Sequence, residues 1–256
     1  MSVALAHHVE GPDTAPAVFL SPSLGTTWEM WDPLAAALSS SYRVVRFDTR
    51  GHGRSPVPAG PYSVAELASD VLALVDALGI DRFGFVGLSL GGAIGQELVV
   101  SHPSRVAAAV LACTVPSFGD PATWTDRAAQ VRASGMVFLA EPTRGRWFTD
   151  GFRAAHPDVV ERHVAMLTGT DPEGYASCCD ALSRFDLWDA LPGITVPVRV
   201  VAGAEDQVAS VPACSTMAST IPGADLVVIE GASHIANAAQ PDAFRTAVAE
   251  HLERHL

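Results

Sequence analysis

The stretch FVGLSLGGAIGQ, residues 85–96, places a lone serine among glycines at the end of an apolar run. Glycine weakens both strands and helices, so its density here marks a place where the backbone needs close approach. Gly87-Leu88-Ser89-Leu90-Gly91 fits the pattern G-x-S-x-G and lies where a predicted strand runs into the predicted helix GGAIGQELVVSH. The pattern describes a tight strand-to-helix turn whose serine is held in a strained conformation, with small residues two positions to either side so that neighbouring chain does not clash. The hydroxyl then stands above a sheet, and the helix that begins just after it aims N–H groups and a positive dipole end at the same spot. Ser89 is therefore the candidate nucleophile.

The rest of the chain supplies the sheet that such a turn needs. Runs at 17–20 (AVFL), 42–47 (YRVVRF), 83–88 (FGFVGL) and 105–113 (RVAAAVLAC) read as buried parallel strands. Between the second and third, SVAELASDVLALVDALG puts Val64, Leu67, Val71, Leu74, Val75 and Leu78 on one helix face, with Ser63 as N-cap, Glu66 three residues on and Gly79 as a stop. Strands alternating with such helices predict an α/β fold, a parallel sheet with right-handed crossovers and helices on both faces. The alternation breaks near Val115 and resumes near Pro197 with PVRVVAGAED, a helix near 211–220, ADLVVIEG and a last helix from Pro241. The segment between is predicted to be helical, punctuated by Pro and Gly. The chain thus divides into a core, residues 1–114 and 191–256, and an inserted helical cap, residues 115–190.

A serine nucleophile needs a base and an orienting acid, expected here in the chain order Ser, acid, His. Glu205 and Asp206 both sit just past a predicted strand in VVAGAEDQVAS, and His234 lies in the loop after the last strand, in IEGASHIANAAQPDAF. His52, in RGHGRS, is read instead as part of a structural turn. An oxyanion hole needs two backbone donors. The N–H of Leu90, next after the nucleophile, supplies one, and the N–H of Leu24 in the turn SPSLGTT is the expected second.

A net charge of −12 argues against nucleic acid or an anionic membrane as partner, since both would be repelled. All sixteen basic residues are arginine, so GLSLGGAIG lacks the lysine a phosphate-binding loop requires. Without a ligand cluster or dinucleotide fingerprint, neither metal nor cofactor is expected. Cys113, Cys178, Cys179 and Cys214 match neither zinc-ligand spacing nor a secreted disulfide framework. The first residues lack a basic region followed by a sustained apolar one, and no apolar run approaches the roughly 18 residues of a membrane span. A cytoplasmic protein with reduced thiols is the expectation.

With Ser89, an acid and His234 placed, the whole chain resembles the α/β-hydrolases, and more narrowly the 3-oxoadipate enol-lactonases of aromatic catabolism. SLGTTWEMWDP, RFDTRGHGRSPVPAGPYS, GLSLGG, GRWFTDGF, DPEGYASCC and GASHIAN carry the likeness, through core and cap in order. The resemblance implies the α/β-hydrolase fold, Asp206 as the acid because the turn takes the form G-x-x-D, and a small lactone opened through an acyl-enzyme. Where many relatives have His-Gly before the second oxyanion donor, this chain has Pro22-Ser23. A serine nucleophile argues against haloalkane dehalogenase and epoxide hydrolase chemistry, which needs a carboxylate at that position. A substrate carboxylate would need local arginines to reverse the field of an acidic chain. The cap offers Arg127, Arg132, Arg144, Arg146, Arg153, Arg162 and Arg184. Arg146, beside Trp147 in GRWFTDGF, is the expected contact, with Trp124 and Trp147 as candidate covers for a small ring. The alternatives are a broad carboxylesterase, a haloperoxidase-like perhydrolase, and a small-molecule receptor of the same fold.

Overall fold

The computed structural model describes residues 2–256. Among them β1 (His7–Glu10), β2 (Ala17–Ser21), β3 (Arg43–Phe47), β4 (Phe83–Leu88), β5 (Val106–Ala112), β6 (Val198–Gly203) and β7 (Asp225–Ile229) form one seven-stranded sheet in the order β1-β3-β2-β4-β5-β6-β7. Every neighbouring pair is parallel except β1 with β3. Strands β2, β4, β5 and β6 are buried along their whole length, which is what their unbroken apolar runs demand of central parallel strands. Strand β1 went unpredicted. Its sequence, HHVE, is polar and half-exposed, because an antiparallel edge strand needs no apolar run.

The sequence-predicted crossover helix is present. After α1 (Asp32–Leu38), helix α2 (Val64–Ala77) starts with a full capping box: Ser63 Oγ accepts from the Glu66 N–H at 3.2 Å, and the Glu66 carboxylate accepts from the Ser63 N–H at 2.9 Å. Gly79 ends it in the left-handed region at φ +68°. Helix α3 (Leu90–Ser101) follows β4 directly.

Five helices lie between β5 and β6: α4 (Pro121–Ser134), α5 (Ala140–Trp147), α6 (Asp150–Ala155), α7 (Pro157–Gly169) and α8 (Pro172–Ser183). Asp120 and Asp171 cap α4 and α8, each with proline in the first turn. Arg132 of α4 clamps the pair by reaching both Glu173 and Asp180 of α8 at 2.8 Å. At the neck of the insertion, Ser117 pairs with Asp186 and the Leu187 N–H donates to the Pro116 carbonyl at 3.0 Å. GRWFTDGF, part of the predicted helical cap, is broken by an extended Phe148, after which Thr149 caps α6. The core is completed by α9 (Val211–Thr220), α10 (Ala236–Ala239) and α11 (Pro241–His255). No helix among the described residues is long and apolar enough to cross a membrane.

The register brings the working loops together. Ser21 at the end of β2 pairs with Gly87 of β4, so the turn carrying Leu24 and the turn carrying Ser89 leave the sheet side by side. The insertion is tied to the loop of His234 by two bonds. Ser233 Oγ donates to the Arg146 carbonyl at 2.9 Å, and the Ile235 N–H donates to the Trp147 carbonyl at 3.1 Å.

Candidate active site

Ser89 sits between β4 and α3 at φ +58°, ψ −112°, a conformation that L-residues avoid. Its neighbours explain how it is held. A Cβ on Gly87 would lie 2.1 Å from the Gly91 carbonyl oxygen, and one on Gly91 would lie 2.2 Å from that of Ser21. Neither position has room for a side chain, so the two glycines of G-x-S-x-G are a packing requirement of the turn. The Ser89 N–H donates to the Ala112 carbonyl at 2.9 Å, and its own carbonyl accepts from Thr114 Oγ1 at 3.0 Å.

His234, in the loop between β7 and α10, donates from Nδ1 to Asp206 Oδ2 at 2.9 Å, and both side chains are buried. The carboxylate fixes the tautomer and leaves the Nε2 lone pair free. The other oxygen of Asp206 accepts from the N–H groups of Val208 (2.7 Å) and Ala209 (3.2 Å). Burial alone would raise the Asp206 pKa, but the His234 ring and these donors together hold the carboxyl below its ordinary range. Glu205 is exposed and its side chain makes no such contact.

The turn after β2 has a simple hydrogen-bond account. The Ser23 N–H donates to Met30 Sδ at 3.4 Å, the Gly25 N–H to His52 Nε2 at 2.9 Å, and the Thr26 N–H to the Ser23 carbonyl at 3.1 Å. The Leu24 N–H has no partner among the described residues. A buried, unpaired N–H is costly unless something fills it, and this one belongs to a residue that lines the same pocket as Ser89. At the other side, the N–H of Leu90 belongs to the first turn of α3, where helical N–H groups lack intrahelical partners. Asn237 Nδ2 donates to the Met30 carbonyl at 2.8 Å, which ties the His234 loop to the segment that supports this turn.

His52 was expected in a structural turn. It is fully enclosed, with Nδ1 donating to the Arg50 carbonyl at 3.2 Å, so its Nε2 must accept from Gly25 in the neutral form. Burial lowers its pKa from 6.5 to about 4. The unfolded chain therefore binds this proton between those two pH values while the folded chain does not, and stability falls as pH drops from 6.5 towards 4. The share carried by His52 is on the order of 3 kcal/mol. In urea melts across this range, His52→Gln should flatten the acid-side loss by roughly that amount; an unchanged pH slope would show that His52 is not held neutral.

Ser23, Leu24, Ser89, His234, Val208 and the cap residues Trp124, Arg127, Thr143, Arg146, Trp147 and Tyr175 enclose one pocket. The sequence-predicted Ser89, His234, Leu24, Trp124, Arg146 and Trp147 are thus brought together, with Asp206 behind His234. Trp124 also donates from Nε1 to the Phe118 carbonyl at 2.8 Å, so it serves the cap's own packing as well. Of the cap arginines, Arg132, Arg144 and Arg153 pair with carboxylates. Arg184 donates to the Tyr62 carbonyl at 2.6 Å. Arg127 and Arg146 face the pocket and have no carboxylate partner among the described residues. Arg127 lies over the Trp124 ring, 4.7 Å from its centre, and Arg146 Nε donates to the Pro142 carbonyl at 3.3 Å. Burial, and then repulsion from Arg127, pull the Arg146 pKa below its usual value. Sequence reasoning did not single out Arg127, Tyr175, Thr143 or Val208. Each reaches the pocket through packing between distant segments; only Tyr175 lies in a stretch that the sequence marks, DPEGYASCC, and nothing within that stretch shows that its ring faces the pocket.

This fold and site define the class, and comparison with known proteins agrees: residues 16–239 match the α/β-hydrolase fold family, and the chain belongs to it. It is 40% identical to 3-oxoadipate enol-lactonase 2 of Acinetobacter baylyi, over 98% of this chain and 94% of that protein. The crystal structure of the enol-lactonase from Burkholderia xenovorans LB400 superposes with a TM-score of 0.95 at 41% identity, covering 97% of this chain and 96% of the other. A thermophilic esterase from Thermogutta terrifontis, solved with malate bound, matches with a TM-score of 0.93 at 29% identity, over 98% of this chain and 94% of that one.

Proposed function

We propose that this hydrolase opens a small enol-lactone bearing a carboxylate, 3-oxoadipate enol-lactone to 3-oxoadipate, through an acyl-enzyme on Ser89, as a step of aromatic-compound breakdown in the cytoplasm. His234 Nε2 takes the Ser89 proton as Oγ attacks the ring carbonyl, and the Leu24 and Leu90 N–H groups receive the negative charge that develops on the carbonyl oxygen. Collapse breaks the ring C–O bond. The leaving oxygen departs as an enolate, more stable than a simple alkoxide, takes the proton from His234 and becomes a ketone by tautomerisation. Water, deprotonated by His234, then cleaves the ester to Ser89 and releases the acid. Asp206 holds the imidazole in register throughout.

The observation that carries this reading over a general esterase is the pair Arg127 and Arg146, which have no acidic partners among the described residues and line the pocket that holds Ser89. In a chain of net charge −12 such a pair is an anion site. The enol-lactonase relatives and the malate held by the thermophilic esterase support the same choice of substrate. Losing one charge-assisted contact costs about 1.5–3 kcal/mol, so Arg146→Ala should lower kcat/KM roughly 10- to 150-fold for the lactone acid. For its neutral methyl ester the loss should be small. Equal losses for acid and ester would mean that Arg146 holds the cap and does not read the substrate.

A further inference from the structure

Ser23 stands one residue before Leu24, in the turn after β2. Its backbone is locked on both sides: the N–H donates to Met30 Sδ at 3.4 Å, and the carbonyl accepts from the Thr26 N–H at 3.1 Å and from Thr26 Oγ1 at 2.8 Å. Its side chain has no such use. Ser23 is 2% exposed, its Oγ has no hydrogen-bond partner among the described residues, and it lines the pocket shared by Ser89, Leu24 and His234. A shielded hydroxyl without a partner bears the desolvation cost of that group with nothing in return, and native structures keep few of them. Alanine would fill the same space without the cost.

The position of the residue narrows what the hydroxyl can serve. A Cβ on Gly91 would lie 2.2 Å from the Ser21 carbonyl oxygen and 2.9 Å from that of Pro22, so the segment leading into Ser23 is in direct contact with the first turn of α3. That turn carries the Leu90 N–H, and the residue after Ser23 carries the Leu24 N–H. We propose that Ser23 Oγ–H is a third donor to the oxyanion, acting beside those two N–H groups. The inference rests on Ser89 as nucleophile. No proton leaves Ser23: its hydroxyl turns to the carbonyl oxygen of the substrate, and that hydrogen bond strengthens as the oxygen becomes anionic, so it favours the tetrahedral intermediate over bound substrate.

The test is Ser23→Ala, assayed as kcat/KM on p-nitrophenyl, phenyl and ethyl acetate, with a thermal melt of each protein. Removing one of three donors should lower kcat/KM roughly 10- to 100-fold, by the same factor for all three esters because they share the carbonyl oxygen. A trifluoromethyl ketone, which forms a tetrahedral adduct with Ser89, should bind correspondingly weaker. The melting temperature should be unchanged or higher, since an unsatisfied buried hydroxyl has been removed. Ser23→Gly, which keeps the backbone contacts, should show the same loss of rate. Unimpaired rates in both variants would overturn the assignment, as would a loss that grows with the basicity of the leaving group, which would place the hydroxyl on the departing oxygen. A wild-type protein that forms no covalent adduct with the trifluoromethyl ketone at Ser89 would contradict the reading of Ser89 on which this one rests, whatever the two Ser23 variants do.

Discussion

Replacing Ser89 by alanine is expected to lower kcat by on the order of 10⁵-fold, and His234→Ala to do almost the same, with the double variant no worse than either. The non-additivity follows from the chemistry. Without the base the hydroxyl is a weak nucleophile, and without the hydroxyl the base has nothing to activate. Both side chains project from turns beyond the C-terminal ends of β4 and β7 and form no part of the strands themselves, so neither loss should unfold the protein. Ser89 is moreover held at φ +58°, and the alanine variant keeps that strain because Gly87 and Gly91 still shape the turn. Steady-state rates with circular dichroism checks suffice to measure this; a folded single variant with near wild-type kcat would contradict the assignment.

The second large effect is expected at Asp206. Asn in its place preserves shape but can present an N–H towards His234 Nδ1, which favours the wrong imidazole tautomer and cannot stabilise the imidazolium. A loss of roughly 10⁴ in kcat follows, by the behaviour of such acids in other serine hydrolases. Glu205→Gln, one residue away, should change kcat less than about twofold, because the side chain is exposed and lies outside the pocket. The pair of variants separates the two neighbouring acids that the sequence alone left open. Severe loss in Glu205→Gln with a mild effect in Asp206→Asn would reverse the choice.

What the sequence made legible was local. The capping box of α2 lies within four consecutive residues, and the glycines of the serine turn within five, so pattern and chemistry coincide. The buried strands were legible because β2, β4, β5 and β6 are apolar from end to end. Strand β1 was hidden, since its four residues are read correctly only when β3 lies beside them. The pocket's charges were hidden for the same kind of reason. Arg132 is neutralised by Glu173 and Asp180, 41 and 48 residues away, while Arg127, five residues earlier on the same helix, has no such partner among the described residues. No spacing within α4 distinguishes the two. His52 was placed in a structural turn, but that its Nε2 supports the Gly25 N–H, 27 residues back, is a statement only the tertiary structure can make.

Whether Ser89 is the nucleophile is decided by intact-protein mass spectrometry after treatment with a fluorophosphonate, followed by peptide mapping. A nucleophile activated by His234 and facing two or three oxyanion donors should take one adduct per chain, at Ser89, with hydrolytic activity lost in proportion to labelling. Labelling should slow by about 10²-fold or more in His234→Ala, since the base that activates the hydroxyl is gone. Full labelling at another residue, or hydrolysis that persists in protein fully modified at Ser89, would contradict the account.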